Sequence, residues 1–322
     1  MSIICTGSIA YDYLMTFPGY FREHILANHI DNLSLSFLVD SMVRQRGGNA
    51  PNIAYTLALL GENPLVMGTV GEDFEEYRNW LESKGIETTY ARLIPGEYTA
   101  SFFANTDLSN SQIASFYPGA MGHASKQSIL ELACKKIDLV IISPNDPKAM
   151  DRFVSECREA GIPYVYDPSQ QIVRLDHDNL RYGVEGAQSL FLNEYESQLL
   201  IKHTGLTHNQ ILNLVKCFVV TKGKEGAVIY ADGKEYVIRS VPPDFIADPT
   251  GVGDAFRGGF LRGYLKGLDW ITCGQMGAVA ATYCLEQRGT QNHTYSIDSF
   301  ISRYRQHFDD QGKIDLLKEE EK

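Results

Sequence analysis

The sequence has no excess of basic residues, and this absence argues against a large class of functions. Its 322 residues contain 29 Lys and Arg against 40 Asp and Glu, which gives a formal net charge of −11 at pH 7. Nucleic-acid binding needs basic side chains along the phosphate backbone. We therefore expect no nucleic-acid partner, although backbone N–H groups in a local turn could still hold the phosphates of a nucleotide.

Long apolar runs and paired cysteines are also absent. No run approaches the roughly 20 apolar residues that a membrane-spanning helix needs, so we expect no membrane partner. The stretch MSIICTGSIAYDYLM lacks the basic region of a secretion signal. The cysteines are scattered without a CxxC pair, which predicts reduced, buried thiols in a cytoplasmic protein. They are Cys5, Cys134, Cys157, Cys217, Cys273 and Cys284.

What the sequence does contain is a repeated alternation of short apolar runs and longer segments with helical spacing. The predicted strands are IICTGSI, PLVMGTVG, DLVIIS, PYVYDPS, SLFLN and CFVVTKG. The predicted helices are NAPNIAYTLALLG, DFEEYRNWLESKG, PKAMDRFVSECREAG, EYESQLLIKHTG, AFRGGFLRGYLKG and WITCGQMGAVAATYCLEQRG. Such alternation predicts an α/β fold, with a mainly parallel sheet covered by helices on both faces.

Two segments depart from this pattern, HIDNLSLSFLVDSMVRQRGG and GEYTASFFANTDLSNSQIASFYPGA. Both alternate polar and apolar residues without a following helix, which is typical of an antiparallel sheet with one solvated face. We interpret them as a small inserted sheet that serves as a lid or a dimer surface. The expected division is a large domain over 1–12, 49–95 and 123–322 and a small β domain over 13–48 and 96–122. The tail DLLKEEEK is expected to be frayed and solvated.

The stretch DPTGVGDAFRGGF places glycines directly before a carboxylate at a predicted helix start. Phosphoryl transfer needs N–H groups that hold negative charge and a carboxylate that orients the attacking hydroxyl. Gly251, Val252 and Gly253 offer the N–H groups, and Asp254 offers the carboxylate. The alternative is an ordinary helix with Asp254 as its N-cap. The chain has no GK[ST] phosphate loop, and CTGSIAYD does not supply the GxGxxG of a dinucleotide-binding strand.

Three further stretches carry candidate ligand groups, each with a structural alternative. In RQRGGNAPN, Gly47 and Gly48 allow close approach of a ligand. Asn49 and Asn52 can bind hydroxyls, or the stretch is a turn with Asn49 as a helix cap. In FLNEYESQL, Asn193 and Glu196 could organise Mg²⁺ through its waters, or form a helix cap. VVTKGKEG offers a phosphate-side loop, or a glycine turn between two strands.

In this chain order, the four stretches resemble the ribokinase-like family of carbohydrate and nucleoside kinases. GGNAPN matches its GG-x-x-x-N signature, DPTGVGD its D-x-T-G-x-G-D signature, and NEYE its N-x-x-E motif. TGSIAYDYLMTFPG, QIASFYPGAM and DPSQQ are most similar to the branch of adenosine kinases of the mycobacterial type. The resemblance implies a ribokinase-like three-layer α/β/α fold with a mainly parallel central sheet and an inserted β-sheet lid.

The resemblance also implies roles for individual residues. Asp254 matches the catalytic base, and Gly251, Val252 and Gly253 match the anion hole. The substrate-binding positions are Ser8, Asp12, Ser36, Gly48, Asn52, Phe102, Phe116, Gln170, Gln171 and Arg174. The ATP-binding positions are Asn193, Thr221, Gly223, Gly226, Gly251 and Gly253. Glu196 would hold Mg²⁺ through water, and Asp248 and Thr250 match positions that bind a K⁺ activator.

The chemistry of these residue types fits a nucleoside. Phe102, Phe116 and Tyr117 would stack on a planar base, and Asp12 would accept hydrogen bonds from a vicinal diol. The expected reaction is ATP-dependent phosphorylation of adenosine at its 5′-hydroxyl, giving AMP and ADP in purine salvage. The alternatives are a kinase for another purine nucleoside, a ribokinase- or fructokinase-type sugar kinase, and a catalytically silent ligand sensor. A homodimer through the small sheet is also expected.

Overall fold

The structure, a computed structural model, describes residues 2–24, 35–109, 111–132 and 136–320. Cys134, residues 29–34 of the first alternating segment and the last two residues of the tail lie outside these ranges. The other cysteines are buried and free, which confirms the prediction of reduced thiols for them. Within the described ranges, no helix is both long enough and apolar enough to span a membrane.

The described residues form thirteen β-strands and ten α-helices. The strands are β1 (Ile3–Thr6), β2 (Ala10–Thr16), β3 (Ser41–Gly47), β4 (Leu65–Val70), β5 (Glu87–Leu93), β6 (Ala100–Thr106), β7 (Gln112–Tyr117), β8 (Leu139–Ile142), β9 (Tyr164–Tyr166), β10 (Ser189–Asn193), β11 (Cys217–Thr221), β12 (Ala227–Ala231) and β13 (Lys234–Ile238). The helices are α1 (Phe21–His24), α2 (Asn49–Leu59), α3 (Glu75–Ser83), α4 (Pro147–Ala160), α5 (His177–Val184), α6 (Glu194–Thr204), α7 (His208–Leu214), α8 (Val252–Leu265), α9 (Trp270–Leu285) and α10 (Ile297–His307).

A nine-stranded sheet with the order β13-β12-β11-β10-β9-β8-β1-β4-β5 forms the middle layer. Its strands pair in parallel from β11 to β5, and β12 and β13 add an antiparallel edge. In β8, Leu139 and Ile141 enter one hydrophobic core while Val140 and Ile142 enter the other. Because successive side chains of a strand point to opposite faces, a strand covered on both sides is apolar throughout.

Helices cover both faces of this sheet. Residues of α2, α3, α8, α9 and α10 contribute to one core, and residues of α4, α5, α6 and α7 contribute to the other. This arrangement confirms the predicted ribokinase-like three-layer α/β/α fold with a mainly parallel central sheet.

The second sheet has four strands in the order β3-β2-β6-β7. Strand β2 was not assigned from the sequence: the predicted first strand, IICTGSI, ends at Ile9, and β2 begins at the next residue, Ala10. The expectation of a purely antiparallel small sheet is wrong, since β2 and β6 pair in parallel. The pairs β2–β3 and β6–β7 are antiparallel, and of these the β6–β7 pair joins two strands predicted from the sequence.

The predicted frayed tail is wrong for the described part of DLLKEEEK. Residues Lys313–Glu320 form a 3₁₀ helix. Leu317 is buried in the core beside Ile314, and Lys318 Nζ lies 2.8 Å from Asp298 Oδ1 on α10. The many charged residues of this segment suggested a solvated end, but Ile314 and Leu317 are buried and hold the segment against α10.

Candidate active site

The predicted motifs meet at one edge of the central sheet. Ser8 follows β1, Pro144 follows β8, Asp167 follows β9, and Asn193 and Thr221 end β10 and β11. Because these strands are parallel, their carboxyl ends lie side by side, and ligands of open α/β sheets bind at this edge.

A cavity of about 440 Å³ opens at this edge, and the small sheet contributes part of its wall. The cavity contains every predicted substrate-binding residue except Ser36, which is exposed and lies outside the lining. The lining residues are Ser8, Ala10, Asp12, Gly48, Asn49, Asn52, Phe102, Phe116, Met121, Pro144, Gln170, Gln171, Arg174, Thr250, Gly251, Asp254 and Thr290. A volume of this size is typical of small-molecule sites.

Helix α8 begins at the cavity. Its N-cap is Gly251, which has a φ of 77°, and the helix starts at Val252. A Cβ atom at Gly251 would lie 2.7 Å from Cγ2 of Thr290, so both the backbone conformation and the available space require glycine here. The N-cap alternative for Asp254 is wrong, because Asp254 is the third residue of the helix. The first-turn N–H groups of α8 are thus available to an anion.

The carboxylate of Asp254 is buried and held by two side-chain amides. Asn49 Nδ2 donates to Oδ1 at 3.1 Å, and Asn52 Nδ2 donates to Oδ2 at 2.9 Å. Burial raises the pKa of Asp254, while Arg257 and the two amide donors act in the opposite direction. The site therefore holds a buried carboxylate in one fixed orientation, which is the requirement for a positioned proton acceptor.

Asn49 is itself oriented by Ser8. The hydroxyl of Ser8 donates to Asn49 Oδ1 at 3.1 Å and accepts from the backbone N–H of Asn49 at 3.2 Å. With its oxygen occupied by a donor, the Asn49 amide must present its NH₂ group to Asp254. Ser8 was predicted to bind substrate; in this structure it orients the Asn49 amide that donates to Asp254.

A buried ion pair joins the second turn of α8 to the residue that follows β9. Arg257 Nη2 donates to Asp167 Oδ1 at 2.8 Å, and Arg257 Nε lies 2.6 Å from Asp167 Oδ2. Burial lowers the pKa of the Arg257 guanidinium, but the carboxylates of Asp167, Asp254 and Glu196 outweigh burial and raise it. Neither Arg257 nor Asp167 was singled out from the sequence, because only the tertiary structure brings them together.

Asp12 lies on β2 in the cavity wall, next to Gly47 of β3. A Cβ atom at Gly47 would lie 2.4 Å from Asp12 Oδ2, so glycine leaves the space that the carboxylate occupies. Burial, together with the charges of Asp248 and Asp254, raises the pKa of Asp12 to about 7. A diol that donates hydrogen bonds to this carboxylate would favour its ionised form.

The aromatic side of the cavity comes from a cross-strand pair. Phe102 on β6 lies opposite Phe116 on β7, and both line the cavity. Tyr117 does not join them: it follows Phe116 on the strand and so points to the opposite face, where its hydroxyl donates to Glu97 Oε2 at 3.2 Å. The expectation that Tyr117 stacks on a base is therefore wrong.

Of the predicted ATP-binding residues, Gly251 lines the cavity, whereas Asn193, Thr221, Gly223 and Gly226 lie along the same sheet edge outside its lining. Asn193 and Thr221 are paired positions on the neighbouring strands β10 and β11. Gly223 and Gly226 flank the short 3₁₀ turn between β11 and β12. A Cβ atom at Gly226 would lie 2.0 Å from the carbonyl oxygen of Ile238, so close packing alone requires glycine at this position. Gly223 has a φ of 56°.

Asn193 and Glu196 form a capping box at the start of α6. Glu196 N–H donates to Asn193 Oδ1 and Asn193 N–H donates to Glu196 Oε2, both at 2.8 Å. The other oxygen of Glu196 accepts from Ser169 Oγ at 2.8 Å. The helix cap, which was the structural alternative for this motif, is therefore present, and the half-buried carboxylate of Glu196 keeps lone pairs for water.

Asp248 and Thr250 lie in the loop before α8. Asp248 accepts from the N–H of Thr250 at 2.9 Å and from the N–H of Gly289 at 3.1 Å. The described part of the chain contains no group of three or more His, Cys, Asp or Glu residues that could hold a metal ion. Carboxylate and carbonyl oxygens do suit a hard cation.

Comparison with known proteins identifies the family. The sequence profile of the pfkB family of carbohydrate kinases matches residues 9–296. The chain is 30% identical over 308 residues to a nucleoside kinase of Methanothermobacter thermautotrophicus, which covers 94% of this chain and 95% of that protein.

Solved structures give the same result. The nucleoside kinase of Burkholderia thailandensis in complex with inosine has a TM-score of 0.86 and 36% identity, with 96% of this chain and 98% of that chain covered. The nucleoside kinase of Methanocaldococcus jannaschii, an archaeal member of the ribokinase family, has a TM-score of 0.86 and 27% identity, with 95% and 98% covered. The fold, the site at the carboxyl edge of its sheet and these matches establish that the chain belongs to the pfkB family of carbohydrate kinases.

Proposed function

We propose that the protein is a nucleoside kinase that transfers the γ-phosphoryl group of ATP to the 5′-hydroxyl of a purine nucleoside. The observation that carries this proposal is the buried carboxylate of Asp254, fixed by two amides beside the first turn of α8 and at the wall of a ligand-sized cavity. Full-length similarity to nucleoside kinases of three organisms supports the substrate class.

In the proposed reaction, Asp254 accepts a hydrogen bond from the 5′-hydroxyl and takes its proton as the oxygen attacks the γ-phosphorus. The bond between the γ-phosphorus and the bridging oxygen of ADP breaks in the same step. The N–H groups from Gly251 to Gly253 stabilise the charge on the transferred phosphoryl oxygens. Asp12 holds the ribose through its hydroxyls, and Phe102 and Phe116 contact the base.

Adenosine is the first substrate that we propose, with AMP and ADP as products in purine salvage. The aromatic pair and the amides of Gln170 and Gln171 offer a planar contact and hydrogen-bonding groups for a purine. Inosine is the second candidate, because the similar kinase of Burkholderia thailandensis was solved in complex with inosine. A free sugar has no ring for Phe102 and Phe116 to contact.

ATP would lie along Asn193, Thr221, Gly223 and Gly226, at the edge that continues from the cavity. Mg²⁺ would accompany the nucleotide, and the half-buried Glu196 carboxylate would accept hydrogen bonds from its waters. The oxygens of Asp248 and Thr250 are the proposed K⁺ ligands. The metal ions would supply positive charge near the phosphates.

The small sheet would cover the bound nucleoside as a lid, with the small domain over 13–48 and 96–122 as proposed from the sequence. Several of its apolar residues are exposed, including Met42, Val43 and Ile113. We propose that a second copy of the chain covers them in a homodimer, since unpaired edge strands and apolar faces favour such pairing. The mass in solution, measured by light scattering, tests this assembly.

The test of the proposed function measures ADP release from Mg-ATP with adenosine, inosine, guanosine, ribose and fructose, each with and without K⁺. Rapid turnover with a purine nucleoside is expected. Asp254→Asn should lower kcat by roughly 10³-fold or more with nucleoside affinity kept within a few-fold, because it removes the proton acceptor and keeps the shape. Turnover with a sugar alone would overturn the proposed substrate class. Nucleoside binding without turnover would favour the alternative of a catalytically silent ligand sensor.

A further inference from the structure

A directional chain of hydrogen bonds runs from a backbone carbonyl to the candidate base. The hydroxyl of Tyr77 donates to the carbonyl oxygen of Gly47 at 2.9 Å and accepts from Gln291 Nε2. The same nitrogen of Gln291 donates to Asn52 Oδ1 at 2.9 Å. Asn52 Nδ2 then donates to Asp254 Oδ2 at 2.9 Å.

The direction of every bond in this chain follows from its first acceptor. A carbonyl oxygen can only accept a hydrogen bond, so the hydroxyl proton of Tyr77 is donated to the carbonyl oxygen of Gly47. The hydroxyl oxygen of Tyr77 can then only accept a hydrogen bond from Gln291. Gln291 must therefore present its NH₂ group, and the second proton of that group goes to Asn52.

The end of the chain acts on the base. Because the oxygen of the Asn52 amide is held by Gln291, its nitrogen faces Asp254. An N–H donor stabilises an ionised carboxylate and leaves no acceptor for a protonated one.

Asn52 and Asp254 line the cavity, and the part of the hydrogen-bond chain formed by Tyr77 and Gln291 lies behind it, closed to solvent. Tyr77 is fully buried, Gln291 is 2% exposed and Asn52 is 5% exposed. Water therefore cannot replace a lost donor without a rearrangement of the packing, and each bond in this environment is stronger than its equivalent in water.

We propose that Gln291 is a positioning residue for the base: it holds the Asn52 amide in the orientation that donates to Asp254 and so keeps Asp254 ready to accept a proton. Gln291 does not line the cavity and acts only through Asn52. This inference rests on the proposed role of Asp254 in phosphoryl transfer.

Other groups also act on Asp254 and must be considered in any pH dependence. Burial raises its pKa, Arg257 on the same helix lowers it, and Glu196 on α6 raises it. Asp254 is also electrostatically coupled to groups on other elements. These are Asp12 on β2, Asp167 after β9 and Cys284 on α9. None of these groups is changed by a substitution at Gln291.

The experiment compares Gln291→Met with the unchanged protein in kcat and KM from pH 5 to 9. Methionine keeps the volume and removes the donors, so the Asn52 amide is free to rotate. We expect the acidic limb of the kcat profile to move up by about one pH unit, kcat at pH values below that limb to fall by about 10-fold, and kcat to recover at pH 9. The nucleoside KM should change less than about threefold.

Gln127→Met is the matched control. Gln127 is equally buried, its Nε2 donates at 2.9 Å to the carbonyl oxygen of Tyr90, and neither residue lines the cavity. It should lose stability without a shift of the acidic limb. If Gln291→Met lowers kcat uniformly at all pH values, with the limb unmoved, Gln291 has only a structural role and the proposal fails.

Tyr77→Phe provides a second variant if Gln291→Met does not fold. It removes the hydroxyl that orients Gln291, so the limb should move in the same direction by a smaller amount. An unmoved limb in a folded Tyr77→Phe protein would overturn the directional chain.

A readout without turnover separates this inference from the proposed function. The carboxyl ¹³C resonance of Asp254, assigned by its loss in Asp254→Asn, reports its protonation directly. A titration midpoint that rises by about one unit in Gln291→Met supports the inference even if no nucleoside is phosphorylated. An unchanged midpoint in an active kinase overturns the inference and leaves the function intact.

Discussion

At the residue scale, the orientation of the amide side chains in the site depends on whether their neighbours donate or accept hydrogen bonds. Asn49 and Asn52 could each present either end of the amide to Asp254. Ser8 donates to the amide oxygen of Asn49, and Gln291 donates to the amide oxygen of Asn52. Both amides therefore present their N–H groups to Asp254. The sequence shows these residue types, but it does not show the neighbours that decide their orientation.

Gly251→Ala should damage both stability and catalysis. The φ of 77° alone costs an L-residue about 1–2 kcal/mol, and the new Cβ would press on Thr290. The resulting shift would misplace an N–H group of the anion site, so we expect kcat to fall by about 100-fold or more. Urea denaturation and steady-state kinetics measure the two effects.

Gly161→Ala is the control for the backbone conformation. Gly161 ends α4 with a φ of 67°, and in the described part of the chain no atom lies within 4 Å of its Cβ position. It should lose about 1 kcal/mol of unfolding free energy and keep its kcat. Similar kcat values in both alanine variants would remove Gly251 from the anion site.

At the element scale, two adjacent glycines of α8 determine how closely the helices pack near Asp254. A Cβ atom at Gly258 would lie 2.6 Å from Cβ of Thr56 on α2. A Cβ atom at Gly259 would lie 2.6 Å from the carbonyl oxygen of Met276 on α9. The close approach of α8 to α2 brings the N-terminal ends of both helices together. Asn52 can therefore reach Asp254.

Strand β6 offers a test of the two faces of the small sheet. Phe102 lines the cavity, while the adjacent Phe103 stacks on Tyr13 with ring centroids 4.8 Å apart. Phe102→Ala should raise the nucleoside KM by about 10-fold, since an aromatic contact contributes roughly 0.5–1.5 kcal/mol beyond its buried area. The KM for ATP should change less than about twofold.

Phe103→Ala is the matched control for that experiment, because it removes the same side chain from the opposite face. Its nucleoside KM should stay within about twofold of the unchanged protein. Equal effects of the two variants on nucleoside and ATP would show that Phe102 acts through the stability of the sheet rather than through the base.

At the scale of the whole molecule, His293 makes stability depend on pH. It is 1% exposed, and neither ring nitrogen has a hydrogen-bond partner among the described residues. Burial lowers its pKa from 6.5 to about 4. As the pH falls through this window the unfolded chain binds a proton before the folded protein does, so stability decreases.

His293→Leu should therefore flatten the pH dependence of unfolding. Between pH 6.5 and pH 4, the free energy of unfolding should fall by about 3 kcal/mol more in the unchanged protein than in the variant. The stabilisation linked to neutral His293 is fully present above pH 6.5. Urea denaturation at several pH values measures this difference. The exposed His177, changed to Gln, is the control and should leave the curve unchanged. Parallel curves for His293→Leu and the unchanged protein would contradict the prediction.

Much of the fold was predictable because it depends on local patterns. The apolar runs of β8 and β10 and the helical spacing of α2 and α8 predicted the elements and their parallel arrangement. Strand β2 was missed because nothing in its sequence shows that the chain leaves one sheet for another after Gly7. The 3₁₀ helix at 313–320 was missed because only its packing on α10 buries Leu317.

The candidate site divides in the same way. The sequence by itself determined the glycines, the carboxylate and the order of the motifs, because backbone freedom and side-chain chemistry belong to single residues. Tertiary structure alone decided that Asp167 pairs with Arg257, that Gln291 orients Asn52 and that Tyr117 faces away from the cavity. The first two contacts join residues that are distant along the chain, and the third depends on which face of the sheet the side chain occupies. Both are decided only when the chain folds.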